Sequence, residues 1–280
     1  MAVLPFIVLF LTFLVGLTIG SFLNVVIMRS VSSSPLTGRS HCDTCSTVLS
    51  WRELIPIISF AYQKGRCLHC GAVLSVQYPL VEFGTGLVFA AIGGQAFSEA
   101  FIVGDIALFF ITCAFLIAAA AMIVIAVADV NYHIIPNGAV LILFVFGIAA
   151  TAVRNGLICV SSYALCTPAS FNGIVWDFAA SIGAIFLFFA LWYLSKGKAL
   201  GFGDVKLVGA TSLAVGFPLS AVAVVFAFWL GGLAGIVMLA ARLRGLKSEI
   251  AFGPFIIAGT LEAFFFGHSF LVASGFKYLL

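Results

Sequence analysis

The sequence predicts an all-α polytopic membrane protein of about eight transmembrane helices, carrying one small cytoplasmic four-cysteine zinc-binding insert. Three observations lead there. The 280 residues are 63% hydrophobic with a mean hydropathy of +1.25, the apolar residues fall in long continuous runs, and a single polar segment holds four of the seven cysteines. Soluble domains carry roughly 45–50% apolar residues, so this composition excludes an ordinary soluble fold.

A membrane-spanning helix needs about 20 predominantly apolar residues. Eight runs qualify or approach that length: 4–28, 79–97, 102–127, 138–153, 173–194, 203–216, 219–240 and 252–272. The sixth is short and contains glycine. A lipid-embedded β-barrel would alternate apolar and polar residues with period two, and these runs do not. The first run lacks a basic leader and an A-x-A-like exit, and it continues into "MRS", so it reads as a retained helix.

Basic residues set the expected orientation. With the N-terminus outside, eleven of the thirteen lysines and arginines fall in or beside cytoplasmic segments, leaving Arg154 and Lys277 outside. The formal net charge of +3 is then a topology signal, and no basic stripe points to nucleic acid. The expected location is the bacterial cytoplasmic (inner) membrane, with lipid as the surrounding partner.

The expected domains are the first helix (1–28), a cytoplasmic zinc-binding insert (29–78), and a transmembrane core with C-terminal helices (79–280). In the insert the cysteines read C-x2-C-x21-C-x2-C at Cys42, Cys45, Cys67 and Cys70, near the spacing of four-cysteine zinc modules. Each pair lets two thiolates converge on one tetrahedral ion. A fold of about 45 residues buries little apolar surface, so a metal would supply stability it otherwise lacks. Two disulfides or a dithiol redox site remain open, the former disfavoured in a reducing cytoplasm. With four cysteines completing the shell, His41 and His69 read as neighbours of the metal. Cys159 and Cys166 lie in an outside loop, where a disulfide is an open alternative.

Charged residues are scarce, 8% of the chain, and an aspartate at the centre of a span costs about 2.5–3.5 kcal/mol on insertion scales. Glu99, Asp105 and Asp177 sit near outer helix ends and read as solvated or capping residues. Asp129 closes the third span in "AVADVNYHIIPNGAV", and Asp204 opens the sixth in "GFGDVKL". Topology therefore brings both to the cytoplasmic side. Two facing carboxyls do not both ionise readily, so one acts as base towards a water while its protonated partner polarises a carbonyl. On spacing alone other readings stay open: Asp204 as the cap of its helix with Asp129 a solvated helix end, or both in an ion or proton pathway.

Here the residues resemble a known family. "GFGDVKL" is similar to the GxGD signature of intramembrane aspartyl proteases, and "ADVNYHIIPN" to the partner segment of bacterial type IV prepilin peptidases. "GSFLNVVIMR" (20–29), "LSWRELIPIISF" (49–60), "GRCLHCG", "SVQYPLVEFGTG" and "FGPFIIAG" (252–259) resemble the bifunctional leader peptidase and N-methyltransferase branch, in family order. One departure is "CDTC", where many relatives carry proline after the first cysteine.

The resemblance implies two reactions. Asp129 and Asp204, with a water, would cleave the leader of type IV prepilins or type II secretion pseudopilins after a glycine at the cytoplasmic face. The new N-terminal amine would then take a methyl group from S-adenosylmethionine. Asn24, Arg29, Glu53 and Glu82 match polar positions of the family pattern and are the candidates for that second site. The alternatives are a transporter using the same aspartates, or a non-catalytic assembly partner docking through the insert. Transport is disfavoured because the acids gather at one face of the membrane instead of lining a path across it.

Overall fold

A computed structural model describes residues 3–32, 35–156, 171–198, 200–241 and 251–276. Cys159 and Cys166 lie outside the described residues. The described residues contain nine α-helices and no strand, and seven of the helices are long and apolar enough to cross a membrane. The chain divides into two compact units, 1–124 and 125–280.

In the first unit, α1 (Val3–Ser32) packs along α3 (Gln77–Val103). Lipid provides no hydrophobic drive between helices, so close backbone approach has to hold them together. Gly16 and Gly20 provide it: a Cβ at Gly16 would lie 2.8 Å from the Thr85 carbonyl, and one at Gly20 would lie 2.7 Å from Glu82 Cα. The polar segment between these helices contains a 3-10 turn (Trp51–Leu54), the short α2 (Ile58–Tyr62) and two isolated antiparallel bridges, His41 with Val48 and Arg66 with Val73. Each bridge closes one cysteine knuckle. Gly104, left-handed at φ +72, ends α3, and Asp105 Oδ1 accepts the N–H groups of Ala107 and Leu108. Asp105 thus caps α4 (Ile106–Tyr132).

In the second unit, α5 (Asn137–Arg154), α6 (Phe171–Leu194), α8 (Leu219–Ala240) and α9 (Gly253–Ala273) all pack on α7 (Phe202–Val215). Its 14 residues extend only about 21 Å, short of the ~30 Å hydrocarbon core. Ten of them are buried by neighbouring helices, Asp204 included. A short helix that carries an acid is accommodated here because protein surrounds it.

Asp177 differs from its sequence reading as a solvated or capping residue. It is buried, and its carboxylate accepts from Arg154 Nη2 (2.9 Å) and Nε (3.2 Å), from Asn155 Nδ2 (2.9 Å) and from the Phe217 N–H (2.7 Å). The extent of the apolar run 173–194 placed Asp177 near a helix end but carried no information about Arg154, which lies on another helix.

Candidate active sites and metal centre

The four cysteine sulfurs of Cys42, Cys45, Cys67 and Cys70 lie within 4.8 Å of one another, with Cys42 and Cys70 Sγ 3.9 Å apart. Four thiolates at ~2.3 Å from a tetrahedral zinc would sit about 3.8 Å apart, so the donor set fits that ion. Each knuckle is a tight turn. The Ser46 N–H donates to Cys42 O (2.8 Å), and the Gly71 N–H to Cys67 O (2.9 Å). The left-handed residues Ser46 (φ 56) and Gly71 (φ 71) turn the chain back at equivalent positions.

The thiols have unequal acidities. Hydrogen bonds from Thr47 draw Cys45 down to about 6. At Cys70 the Ala72 N–H pulls downward, but burial and the three neighbouring cysteines outweigh it and push the thiol up to about 11. A dication removes that conflict by allowing all four to ionise. His69 Nε2 lies 3.2 Å from Glu53 Oε1, and His41 Nδ1 lies 3.4 Å from the Arg39 carbonyl. Neither histidine is in the cluster, as the sequence suggested.

Beside the cysteines, between the insert and the α1/α3 pair, is a cavity of about 650 Å³. Asn24, Arg29, Glu53 and Glu82 all line it, so four positions up to 58 residues apart in sequence converge on one space. Their hydrogen bonds divide them. Arg29 Nη1 donates to the Pro35 and Thr37 carbonyls, and Nη2 to those of Gly38 and Arg39. Its guanidinium therefore shapes the loop leading into the first knuckle. Glu53 Oε2 accepts from the Ser50 N–H (2.9 Å) and hydroxyl (2.7 Å), and these two bonds hold its carboxyl below the usual range.

Glu82 Oε2 accepts the Ile57 N–H at 2.7 Å. Ile57 has a positive φ (62) with ψ −49, a strained conformation for a β-branched residue, and the bond to Glu82 pins the insert to α3. Asn24 donates Nδ2 to the Gly20 and Tyr78 carbonyls (3.3 and 3.2 Å), while its Oδ1 is buried with no hydrogen-bond partner among the described residues. The remaining valence of Asn24 is thus an acceptor at the cavity wall. Tyr78, which also donates its hydroxyl to Asp43 (3.3 Å), was not singled out in the sequence.

In the second unit, α4 ends one turn after Asp129, and the His133 N–H closes that turn on the Asp129 carbonyl (2.9 Å). Residues 133–136 then lead to α5, whose first residue Asn137 accepts a hydrogen bond from Lys206 Nζ. A Cβ at Gly203 would lie 2.9 Å from Ile135 Cβ, so glycine lets the start of α7 press against this linker. Asp129 is close enough to Asp204 to act on it electrostatically, and both are buried, 6% and 5% exposed.

Each aspartate has one oxygen held by backbone. Gly201 N–H donates to Asp204 Oδ2 at 2.9 Å, and Gly253 N–H to Asp129 Oδ2 at 2.8 Å. Asp204 Oδ1 is buried without a partner among the described residues. The pair therefore combines fixed orientation with an unfilled hydrogen-bonding position. The role of Gly253 was not legible from its residue type, since a backbone donor has no side-chain signature; only the segment "FGPFIIAG" marked the neighbourhood.

A short buried helix, a glycine-flanked aspartate and a second buried aspartate on another helix are the elements that an intramembrane aspartyl peptidase site would use. The comparisons narrow it. Residues 14–95 match the bacterial peptidase A24 N-terminal domain, and residues 116–236 match the type IV leader peptidase family. The chain is 31% identical over 260 residues to a prepilin leader peptidase/N-methyltransferase of Bacillus subtilis, covering 92% of this chain and 94% of that one. A protein of the same description from Burkholderia pseudomallei is 28% identical over 292 residues, covering 93% and 86%. One from Myxococcus xanthus is 50% identical over 80 residues, 28% of this chain and 24% of that one. No solved structure gave a significant match. The chain belongs to the type IV leader peptidase family.

Proposed function

We propose that this multi-pass membrane enzyme removes the leader peptide of prepilins or pseudopilins with Asp129 and Asp204, and methylates the exposed amine in the cavity between its insert and the α1/α3 pair. The family supplies the two activities, as the relatives described above carry both in their names. The observation that carries the residue assignment is the pairing of two buried aspartates, each fixed by one backbone N–H.

For hydrolysis, one carboxylate takes a proton from a water, whose oxygen attacks the scissile carbonyl carbon. The other carboxyl, protonated, hydrogen-bonds the carbonyl oxygen as negative charge develops there. Asp204 Oδ1, buried and unfilled, suits that contact. Collapse of the tetrahedral species expels the amine, which takes up a proton. The pair titrates as a unit.

For methyl transfer, S-adenosylmethionine supplies an electrophilic methyl on a sulfonium. The cavity's size lies within the range of small-molecule sites, about 300–1,000 Å³, and its acidic groups Asp43, Glu53 and Glu82 suit a cationic ligand. Asn24 Oδ1 accepts an N–H, Glu53 orders the 3-10 turn, and Glu82 and Arg29 hold the walls. Zinc on the four cysteines would fix both knuckles beside the cavity.

The lysine and arginine distribution supports an orientation with the insert and the aspartates at the cytoplasmic face of the inner membrane. In a coupled assay with a prepilin and labelled S-adenosylmethionine, Asn24→Ala is expected to give normally cleaved but unmethylated product. Loss of cleavage with intact methylation would reverse the assignment of the two sites.

A further inference from the structure

Asp129 Oδ2 is held by a residue 124 positions away, the first of α9. The first-turn N–H groups of a helix have no partner within it, and that end of the helix favours an anion. The Gly253 N–H meets Asp129 at 2.8 Å in a fully buried setting. A Cβ on residue 253 would lie 2.7 Å from Asp129 Oδ2 and 3.3 Å from Cγ, so any larger residue would push the Asp129 carboxylate out of its position. The helix start is itself fixed, since the Phe252 ring packs against Phe188, Phe228 and Phe255 at centroid separations of 6.0, 5.4 and 6.0 Å.

We infer that Gly253 is a positioning residue for peptide hydrolysis: its N–H clamps one oxygen of the Asp129 carboxylate, aiming the other at the attacking water. The inference rests on the reading of Asp129 as a catalytic aspartate. A rival account treats the same bond as a helix cap that only joins α9 to the end of α4. The two differ in what a Cβ at residue 253 does. A cap loses stability and substrate binding together, whereas a clamp loses turnover.

The test uses the purified full chain with a prepilin substrate. Gly253→Ala is expected to lower kcat about 100-fold, the scale of effect of a ~1 Å displacement of a reacting group, with KM and melting temperature unchanged. Gly259→Ala provides the comparison. Its Cβ would lie 2.5 Å from the Ala227 nitrogen, so it is expected to lower the melting temperature by disturbing the α8/α9 contact. Wild-type kcat in Gly253→Ala, with Asp129→Asn inactive, overturns the clamp. Parallel loss of kcat, KM and melting temperature in both glycine variants overturns it too. An active Asp129→Asn instead removes the catalytic reading itself, a separate failure. If Gly253→Ala does not fold, an amide-to-ester replacement at residue 253 decides, because it removes the N–H without adding a Cβ: kcat is expected to fall with KM unchanged, and wild-type kcat, or a kcat loss matched by the loss of substrate binding, overturns the inference.

Discussion

Asp177 illustrates what a charge requires inside this protein. Its carboxylate accepts four hydrogen bonds, two of them from Arg154, and has 4% side-chain exposure. Removing Arg154 leaves an uncompensated buried charge, so Arg154→Leu is expected to destabilise the second unit by about 3 kcal/mol. Asp177→Asn/Arg154→Leu recovers part of that loss, because no bare carboxylate remains; thermal unfolding in detergent measures both. Asp129 and Asp204 are different, because a single backbone N–H holds one oxygen of each. The sequence singled out Asp129 and Asp204 and set Asp177 aside as a solvated or capping residue. The placement of Asp129 and Asp204 at the cytoplasmic side and the segments around them marked those two, whereas the burial of Asp177 was not legible because the donors that satisfy it come from other parts of the chain. Arg29 shows the same limit: its position was legible, its four carbonyl partners were not.

Among the elements, α7 is the one on which α5, α6, α8 and α9 all pack. Its length and glycine content were legible, but its burial followed only once those four helices were placed around it. The α5 contact depends on Gly147, where a Cβ would lie 2.8 Å from Leu213 Cβ and 3.0 Å from the Ala214 nitrogen. Overpacking such a contact costs about 1–3 kcal/mol, so Gly147→Ala is expected to lower the melting temperature and, by displacing α7, peptidase turnover. Methylation of a pre-cleaved peptide is expected to be unaffected, since its proposed site lies in the other unit. The knuckles of the insert were fully legible as paired cysteines, because a C-x2-C turn brings its two sulfurs together locally. Convergence of the two pairs depended on the 21 residues between them. Cys42→Ser with Cys67→Ser is expected to remove bound zinc, read by elemental analysis, and to abolish methylation. Retained zinc would refute the four-cysteine site.

At the scale of the whole molecule, the two proposed sites lie in separate units: the cavity beside the cysteine knuckles in residues 1–124 and the aspartate pair in residues 125–280. The fold class followed from composition and run length, since a membrane leaves helices as the way to satisfy the backbone of continuous apolar segments. Cleavage without methylation and methylation without cleavage should therefore be obtainable by single substitutions. Peptide hydrolysis by Asp129 and Asp204 acting together is checked by reconstituting Asp129→Asn and Asp204→Asn separately in lipid vesicles, then measuring leader removal from a prepilin and methylation of a pre-cleaved peptide. Each variant is expected to lower cleavage by at least about 10²–10⁴-fold, the usual contribution of a positioned acid or base, and to leave methylation and zinc content at the wild-type level. Wild-type cleavage by either variant would contradict the assignment of the pair.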